Sequence, residues 1–334
     1  MKEGKSESKK LALLYLQELF LLKTDSTHYI RMPEILDYLA ERDVFVDRRT
    51  IYTDISILNQ SGFEIEGVQE KGGYKYHHIN RKFDTNELKV LIDSVAASKF
   101  LTLAKSRELI AKIKSLGIAA DSNSLNRNVL LGKRIKSMND KVLKNLDMIH
   151  AAINNNEQLS FLYMKWNPKK ELEYVRKGET YIVSPFAVTL DDDNYYMIAY
   201  DKKFKNIRHY RIDKMQSIKY LHEDREGIES FKSFDIADYT QKTFGMFSGK
   251  EESIRLKCKN SLAGVFIDRF GKDVSIRPDL DDNRFFIAGI TVNVSPQFYA
   301  WLFGLGKDIT ILSPDNVIEE YQGMLKETLQ KYND

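Results

Sequence analysis

Two short stretches of this 334-residue chain hold the side chains best suited to chemistry. The first, Ser184 to Met215, reads SPFAVTLDDDNYYMIAYDKKFKNIRHYRIDKM: two apolar-aromatic runs, then Arg208, His209, Arg211 and Lys214 close together. Residues i and i+2 of a strand share a face, so His209 and Arg211 should point one way and Arg208, Tyr210 and Ile212 the other. A guanidinium forks onto a phosphate or carboxylate, an imidazole titrates near neutrality and a phenol ring can stack a base. Together these residue types make a candidate anion pocket. The second stretch is DRRTIYTDISILNQSG, residues 47–62. Here Ile51, Ile55 and Leu58, spaced i, i+4, i+7, form an apolar back to a helix. The front is left to Arg49, Tyr52, Thr53 and Ser56, with Arg48 at the flank and Thr50 in the first turn. Such a front can donate to phosphates and base edges.

The elements around them follow from period and punctuation. Residues 9–23 predict a leucine-rich helix, Pro33 to Asp43 a second, and Asp47 caps the third, which ends near Gly62. Phe63–Glu66 and Tyr74–His78 predict two strands joined by GVQEKGG, where Gly72 and Gly73 supply positive φ. Lys71, Lys75 and His77 of this hairpin are candidates to lie along a phosphate backbone. Residues 83–155 predict mostly helix, with Asp84 and Glu87 as a capping box and residues 119–128 as a loop. There Lys133, Arg134, Lys136, Lys141 and Lys144 read as a solvated basic face. From Gln158 the period changes to two: six short strands in about 65 residues suggest a small, strongly bent barrel. Beyond a charged linker, the order from Glu252 is βαββαβ and a last helix, as in a ferredoxin-like fold. The expected class is multidomain α+β, divided as 1–82, 83–155, 156–225 and 226–334.

A hydrophobic fraction of 43% and a charged fraction of 30% describe a globular chain, and a net charge of +3 gives little guidance about partners. Cys258 is the sole cysteine, which excludes an intrachain disulfide framework and a thiolate-rich zinc site and suits a cytoplasmic setting. The Leu11–Leu22 run is too short to span a bilayer, so no membrane association is expected. Neither a P-loop nor a G-x-G-x-x-G fingerprint is present. His77 and His78 should face opposite ways, and Asp191–Asp193 reads as a hairpin turn rather than a cation site. With no Ser-His-Asp or Cys-His set to assemble, the expectation is no catalytic residue, no metal and no cofactor.

The residues VDRRTIYTDISILNQSGFEI followed by a glycine-containing hairpin resemble the winged helix-turn-helix of DeoR-type bacterial regulators. Thr50, Ile51, Tyr52 and Asp54 match its third-helix signature; Thr53 stands where arginine is usual, which shifts phosphate contact to Arg48 and Arg49. Pro185-Phe186, Tyr195-Tyr196-Met197 and the RHYRIDKM run resemble the WYL domain of transcriptional regulators. That resemblance implies an Sm-like small β-barrel that senses small or nucleic-acid effectors. Its ligand-facing positions fall on Tyr195, His209 and Arg211, with Ser184, Tyr163 and Arg208 as neighbours, while Tyr196 and Met197 are assigned to the core. AWLFGLGKDITILSP with the last helix resembles the extension behind WYL domains, which implies a homodimer. The resulting expectation is a transcriptional regulator that binds double-stranded promoter DNA through Arg48, Arg49, Thr50, Tyr52, Thr53, Lys71 and Lys75. An anionic small-molecule or single-stranded nucleic-acid effector would alter that binding. Two alternatives stay open: an RNA-binding protein that uses the barrel, and a nucleotide-processing enzyme.

Overall fold

The computed structural model describes residues 3–121, 125, 136–137, 139–232, 239, 241–247 and 249–333; of the predicted basic face, Lys133 and Arg134 lie outside them. The chain divides into two compact units, Met1–Asp140 and Lys141–Asp334.

In the first unit, α1 (Glu3–Lys23), α2 (Met32–Ala40) and α3 (Arg48–Gln60) precede a hairpin of β2 (Ile65–Glu70) and β3 (Gly73–His78). The two-residue strand β1 (Ile30–Arg31) pairs with β3, giving the antiparallel order β1-β3-β2. Leu16, Leu19 and Phe20 of α1, Ile35 and Leu39 of α2 and Ile51 of α3 are fully buried in one core. The cap of α3 is the expected one: Asp47 Oδ1 accepts from the Thr50 amide at 2.8 Å. The hairpin differs from expectation. Gly67, Val68 and Gln69 continue the ladder as far as the pair Glu70 with Gly73, so the turn is only Lys71-Gly72. Gly72 and Gly73, at φ +108° and +123°, let the chain reverse within that length. α4 (Thr85–Ala97) and α5 (Leu103–Lys114) follow and bury Leu88, Ile92 and Ile110 against one another. The capping box holds: Asp84 accepts from the Asn86 and Glu87 amides while Glu87 accepts from that of Asp84.

In the second unit, α6 (Val142–Asn154) packs on the strands β4 (Glu157–Trp166), β6 (Tyr181–Asp191) and β9 (Met215–Asp224). With β5 (Leu172–Tyr174), β7 (Asn194–Asp201) and β8 (Asn206–Arg211) these strands form a curled antiparallel sheet of order β5-β4-β6-β7-β8, with β9 on the other side of β4. The β6–β7 turn is Asp192-Asp193, both left-handed, so the acidic run is a hairpin tip. Inside the curl, Phe161, Tyr163, Tyr181 and Tyr210 meet ring to ring at 5.2–6.1 Å. After a single helical turn, α7 (Ile228–Lys232), comes a second sheet. It is built from β10 (Lys250–Lys259), β11 (Ser275–Pro278), β12 (Phe285–Val294) and β13 (Ile309–Ser313), in the antiparallel order β11-β12-β10-β13. Helices α8 (Ala263–Phe270) and α9 (Pro296–Gly304) cover it through Phe266, Phe298, Tyr299 and Leu302, and α10 (Asp315–Asn333) closes the chain. Among the described residues no helix is long and apolar enough to cross a membrane.

Candidate functional site

Helix α3 is divided by burial into the two sides its spacing requires. Ile51, Asp54, Ile55 and Leu58 face the core, whereas Arg48, Arg49, Tyr52, Thr53 and Ser56 are exposed. The Arg48 and Arg49 guanidinium groups enter no ion pair among the described residues. The two threonines are committed locally: Thr50 Oγ1 donates to Asp47 Oδ1 at 2.8 Å, and Thr53 Oγ1 donates to the Arg49 carbonyl at 3.1 Å. On the hairpin, Lys71 is exposed at the tip. Lys75 is half-buried, 3.4 Å from Glu70 and over the Tyr29 ring, so part of its charge is answered within the protein. His77 is 5% exposed and bonds through Nδ1 to the Asp25 carbonyl at 2.9 Å. It belongs to the packing of the hairpin and does not lie along a free surface. A strand register that sends Tyr76 and His78 into the core also pins His77 from the other side, against Tyr29.

On the curled sheet, Tyr196 of β7 stands opposite Arg211 of β8, and Ile198 opposite His209. Directly paired residues share a face, so Tyr196, Ile198, His209 and Arg211 lie together. Tyr195 is on the other side of β7, the side of Met197 and Ala199, both fully buried. Tyr196 is only half-buried, and burial pushes its phenol up. Its neighbour Tyr195, and not Tyr196, is therefore the one turned away from Arg211.

The other predicted residues are also engaged. Arg211 forks onto Asp213, Nε to Oδ1 at 3.0 Å and Nη2 to Oδ2 at 2.8 Å, and Nη2 donates to Asn194 Oδ1 at 2.8 Å. Its backbone amide donates to the Tyr163 hydroxyl at 2.9 Å, and burial raises the pKa of that phenol. Ser184, 2% exposed, accepts the Glu226 amide at 2.8 Å. Arg208 turns to the opposite face and stacks on Phe204, 3.6 Å from the ring centre. Lys214 lies in the turn after Arg211, and burial pulls its ammonium down, with Arg211 adding to the effect. The Asp213 and Asn194 partners leave no periodic trace in sequence, although the spacing from Arg211 to Asp213 across a strand end is a usable signal for the first.

The His209 end of this face is not open. The Tyr239 ring lies 5.1 Å from the imidazole, which also bonds to the Met246 backbone, while its Nε2 is buried without a partner. Thr243 within this segment accepts from Asn293 and through its carbonyl from Arg269. Burial lowers the His209 pKa from 6.5 to about 4. A histidine held neutral in the fold but charged when unfolded costs stability as pH falls below 6.5, and the loss levels off near 4. From the two values the full loss is about 3 kcal/mol. Urea melts at pH 7 and pH 4.5 should show this dependence reduced in H209Q; an unchanged dependence would assign it to other groups.

Three family models match the chain in sequence: an HTH domain over residues 37–75, a WYL domain over 144–220 and a WCX domain over 250–329. No curated protein matches. Among solved structures, proteasome accessory factor B/C of Arthrobacter aurescens is similar at 17% identity and TM-score 0.30, covering 98% of this chain and 49% of its own. A structure described as a CRISPR Cas-related protein is similar at 14% identity and TM-score 0.36, covering 98% of this chain and 84% of its own. The chain thus spans about half the length of the accessory-factor chain.

Proposed function

The chain belongs to the WYL-domain transcriptional regulators, its HTH, WYL and WCX regions standing in that order, and from that premise we propose that it is a homodimeric cytoplasmic regulator whose curled sheet senses an anionic effector. DNA binding follows from the helix-turn-helix domain, which points to a regulator rather than an enzyme. The observation that carries the assignment of residues is the division of α3: an apolar back held in the core, and a front bearing two guanidiniums with no ion pair among the described residues. Arg48 and Arg49 are the principal contacts to duplex DNA. Tyr52 adds to them, Lys71 and Lys75 reach the backbone from a DeoR-type wing, and Thr50 and Thr53 set the helix that presents them. The strand orders support reading the first sheet of the second unit as an Sm-like barrel and the second as a ferredoxin-like fold.

The effector face is assigned to Arg211 and His209, joined by Tyr196. An anion competes there with Asp213 for the Arg211 fork and must displace Tyr239 and Met246 from His209. Ser184, Tyr163 and Arg208 take part through the fold, and Tyr195 through the opposite side of β7. An effector that binds one arrangement better than another shifts DNA affinity by that difference and no more. Mass spectrometry of what copurifies with the protein supplies the effector class. R211A should then bind duplex DNA as the unmodified chain does without responding to that effector. A retained response would overturn the sensing role, and loss of DNA binding equal to that of R49A would overturn the division of labour.

A further inference from the structure

Within the first unit, two bodies of apolar packing share no residue. The buried cluster of the DNA-binding head runs from Ala12 to Tyr76, and that of α4 and α5 joins Leu88, Ile92, Ala96, Ile110 and Leu125. Residues 79–83 form a strap from β3 to the Asp84 cap of α4, and Arg81 in this strap reaches both bodies. Its Nη1 donates to the Leu21 and Thr24 carbonyls at 2.8 and 2.9 Å, and its Nη2 donates to the Leu116 carbonyl at 2.7 Å. Leu21 and Thr24 stand at the end of α1, and Leu116 lies two residues past α5. Carbonyls at a helix C-terminus lack intrahelical donors and carry the negative end of the macrodipole, which favours a cation there. The Asp25 amide, which would continue α1 onto the Leu21 carbonyl, donates to the His28 carbonyl at 3.2 Å instead, and Arg81 takes its place. One planar group thus holds the end of a head helix and the end of a connector helix at once.

The same strap reaches α3. Thr24, fully buried, offers its carbonyl to Arg81, while its hydroxyl donates to the Phe20 carbonyl at 2.8 Å and accepts the His78 amide at 3.0 Å. The His78 ring stacks on Phe63 at 3.9 Å, and its Nδ1 donates to the Glu64 carbonyl at 3.0 Å. Beside Arg81, the Asn80 side chain donates to the Gly62 carbonyl at 2.8 Å and accepts the Glu64 amide at 3.1 Å. Gly62, Phe63 and Glu64 are the residues by which the chain leaves α3. The exit of the recognition helix is therefore held by residues adjoining the one that holds the connector. Arg81 also borders two clefts, of about 370 and 510 Å³. Open space on both sides leaves hydrogen bonds, rather than close packing, to set the angle of the joint.

We propose that Arg81 is a positioning residue for operator binding: it touches no DNA, and it fixes the angle at which α3 and the hairpin are carried on α4 and α5. Its effect on DNA rests on the homodimer reading, because two heads on one duplex must match the separation of the half-sites; the joint itself does not. Firmly held heads gain affinity from their linkage only at the spacing they fit, and a loosened joint exchanges that gain for tolerance.

Two measurements on the full chain test this role. In the first, nitroxide labels at Q60C on α3 and A111C on α5, both exposed positions, are read by pulsed dipolar spectroscopy after dilution into excess unlabelled chain; the native Cys258 is buried. R81A should widen the distribution of distances between the labels. R81K, which keeps the charge but has one ammonium for two helix ends, should fall between R81A and the parent, and it carries the test if R81A does not fold. Distributions as narrow as the parent's in both variants would overturn the proposal. In the second, electrophoretic shifts follow operators whose half-sites are moved apart in single-base-pair steps across half a helical turn. The parent should favour one spacing by about tenfold or more, and R81A should reduce that preference to less than about threefold. The slope of log affinity against log salt should stay as it was, because no phosphate contact is lost. A spacing preference retained in R81A would overturn the positioning role, as would a slope that falls as it does for a lost phosphate contact. Equal loss at every spacing with a lowered melting transition would also overturn it, leaving Arg81 a purely structural residue. A parent indifferent to spacing would remove the homodimer reading instead, and the label distances then decide the joint by themselves.

Discussion

Duplex DNA carrying the operator should be bound roughly thirtyfold more weakly, or weaker still, when Arg48 and Arg49 are both alanine. Each arginine reaching a base edge or phosphate contributes about 1–3 kcal/mol, and 1.4 kcal/mol is a factor of ten, so losing both removes about 2–6 kcal/mol. The loss should be confined to binding. Both side chains are exposed and unpaired among the described residues, and the α3 cap depends on Asp47 and the Thr50 amide, which remain. The melting transition should therefore not move. The salt dependence separates the two kinds of contact: a pure phosphate role lowers the slope by about 0.9 per arginine, whereas a base-reading role flattens discrimination between operator and random duplex. T53A is the control. The Thr53 hydroxyl donates to a carbonyl of its own helix, so its removal should change affinity by less than threefold. Electrophoretic shifts on a selected operator decide the matter, and an R48A/R49A chain that still binds within threefold of the parent would move the DNA surface away from α3.

The second large effect is on stability. Asp201 is 2% exposed, and its carboxylate accepts the Lys203 and Phe204 amides and the Tyr210 hydroxyl. Alanine there strands three donors at once, two of them backbone amides with no side chain to move. Hydrogen bonds to a charged group contribute about 1.5–3 kcal/mol and an unsatisfied buried donor costs about 1–3 kcal/mol, so D201A should lose at least about 3 kcal/mol. In a unit of this size the transition of the curled sheet drops by about 6–12 °C. D201N keeps one acceptor oxygen and the shape and should lose about half as much, and Y210F only about 1 kcal/mol. Calorimetry on the three variants orders them; D201A no worse than Y210F would show that the loop amides find water instead. D201A should also loosen the loop that carries Phe204, and with it the stack of Arg208.

How far the sequence was legible depended on the range of the interactions involved. The α3 cap, its apolar back and the positive-φ glycines of the hairpin were readable because each is decided within a few residues. The run of short strands was readable for the same reason. Which of Tyr195 and Tyr196 joins Arg211 was not, because one residue of register exchanges the two faces, and the β7–β8 register here is closed by the turn over residues 202–205, between the pair Asp201 and Asn206. Arg211 was recognisable as a cation on a face, but its closure on Asp213 and Asn194 joins a strand end to a hairpin seventeen residues upstream. Still less readable was the cover over His209, which comes from Tyr239 and Met246, beyond any local period. The burial of His77 is no more legible: its bond to the Asp25 carbonyl spans 52 residues.

Asn145 of α6 gives the turn after Arg211 a mechanical reading. Its single amide nitrogen donates to the carbonyls of Ile212 and Met215, at 3.4 and 3.0 Å, which bracket that turn. One donor group gripping both shoulders of a turn behaves as a strain gauge. It is seated only while the two carbonyls keep their separation, and any event that opens the turn unloads it. Because Asn145 is buried, the unloaded amide would have no water to fall back on, and the helix itself would have to shift to relieve it. The turn after Arg211 and the thirteen-residue helix α6 are thus held by one shared group.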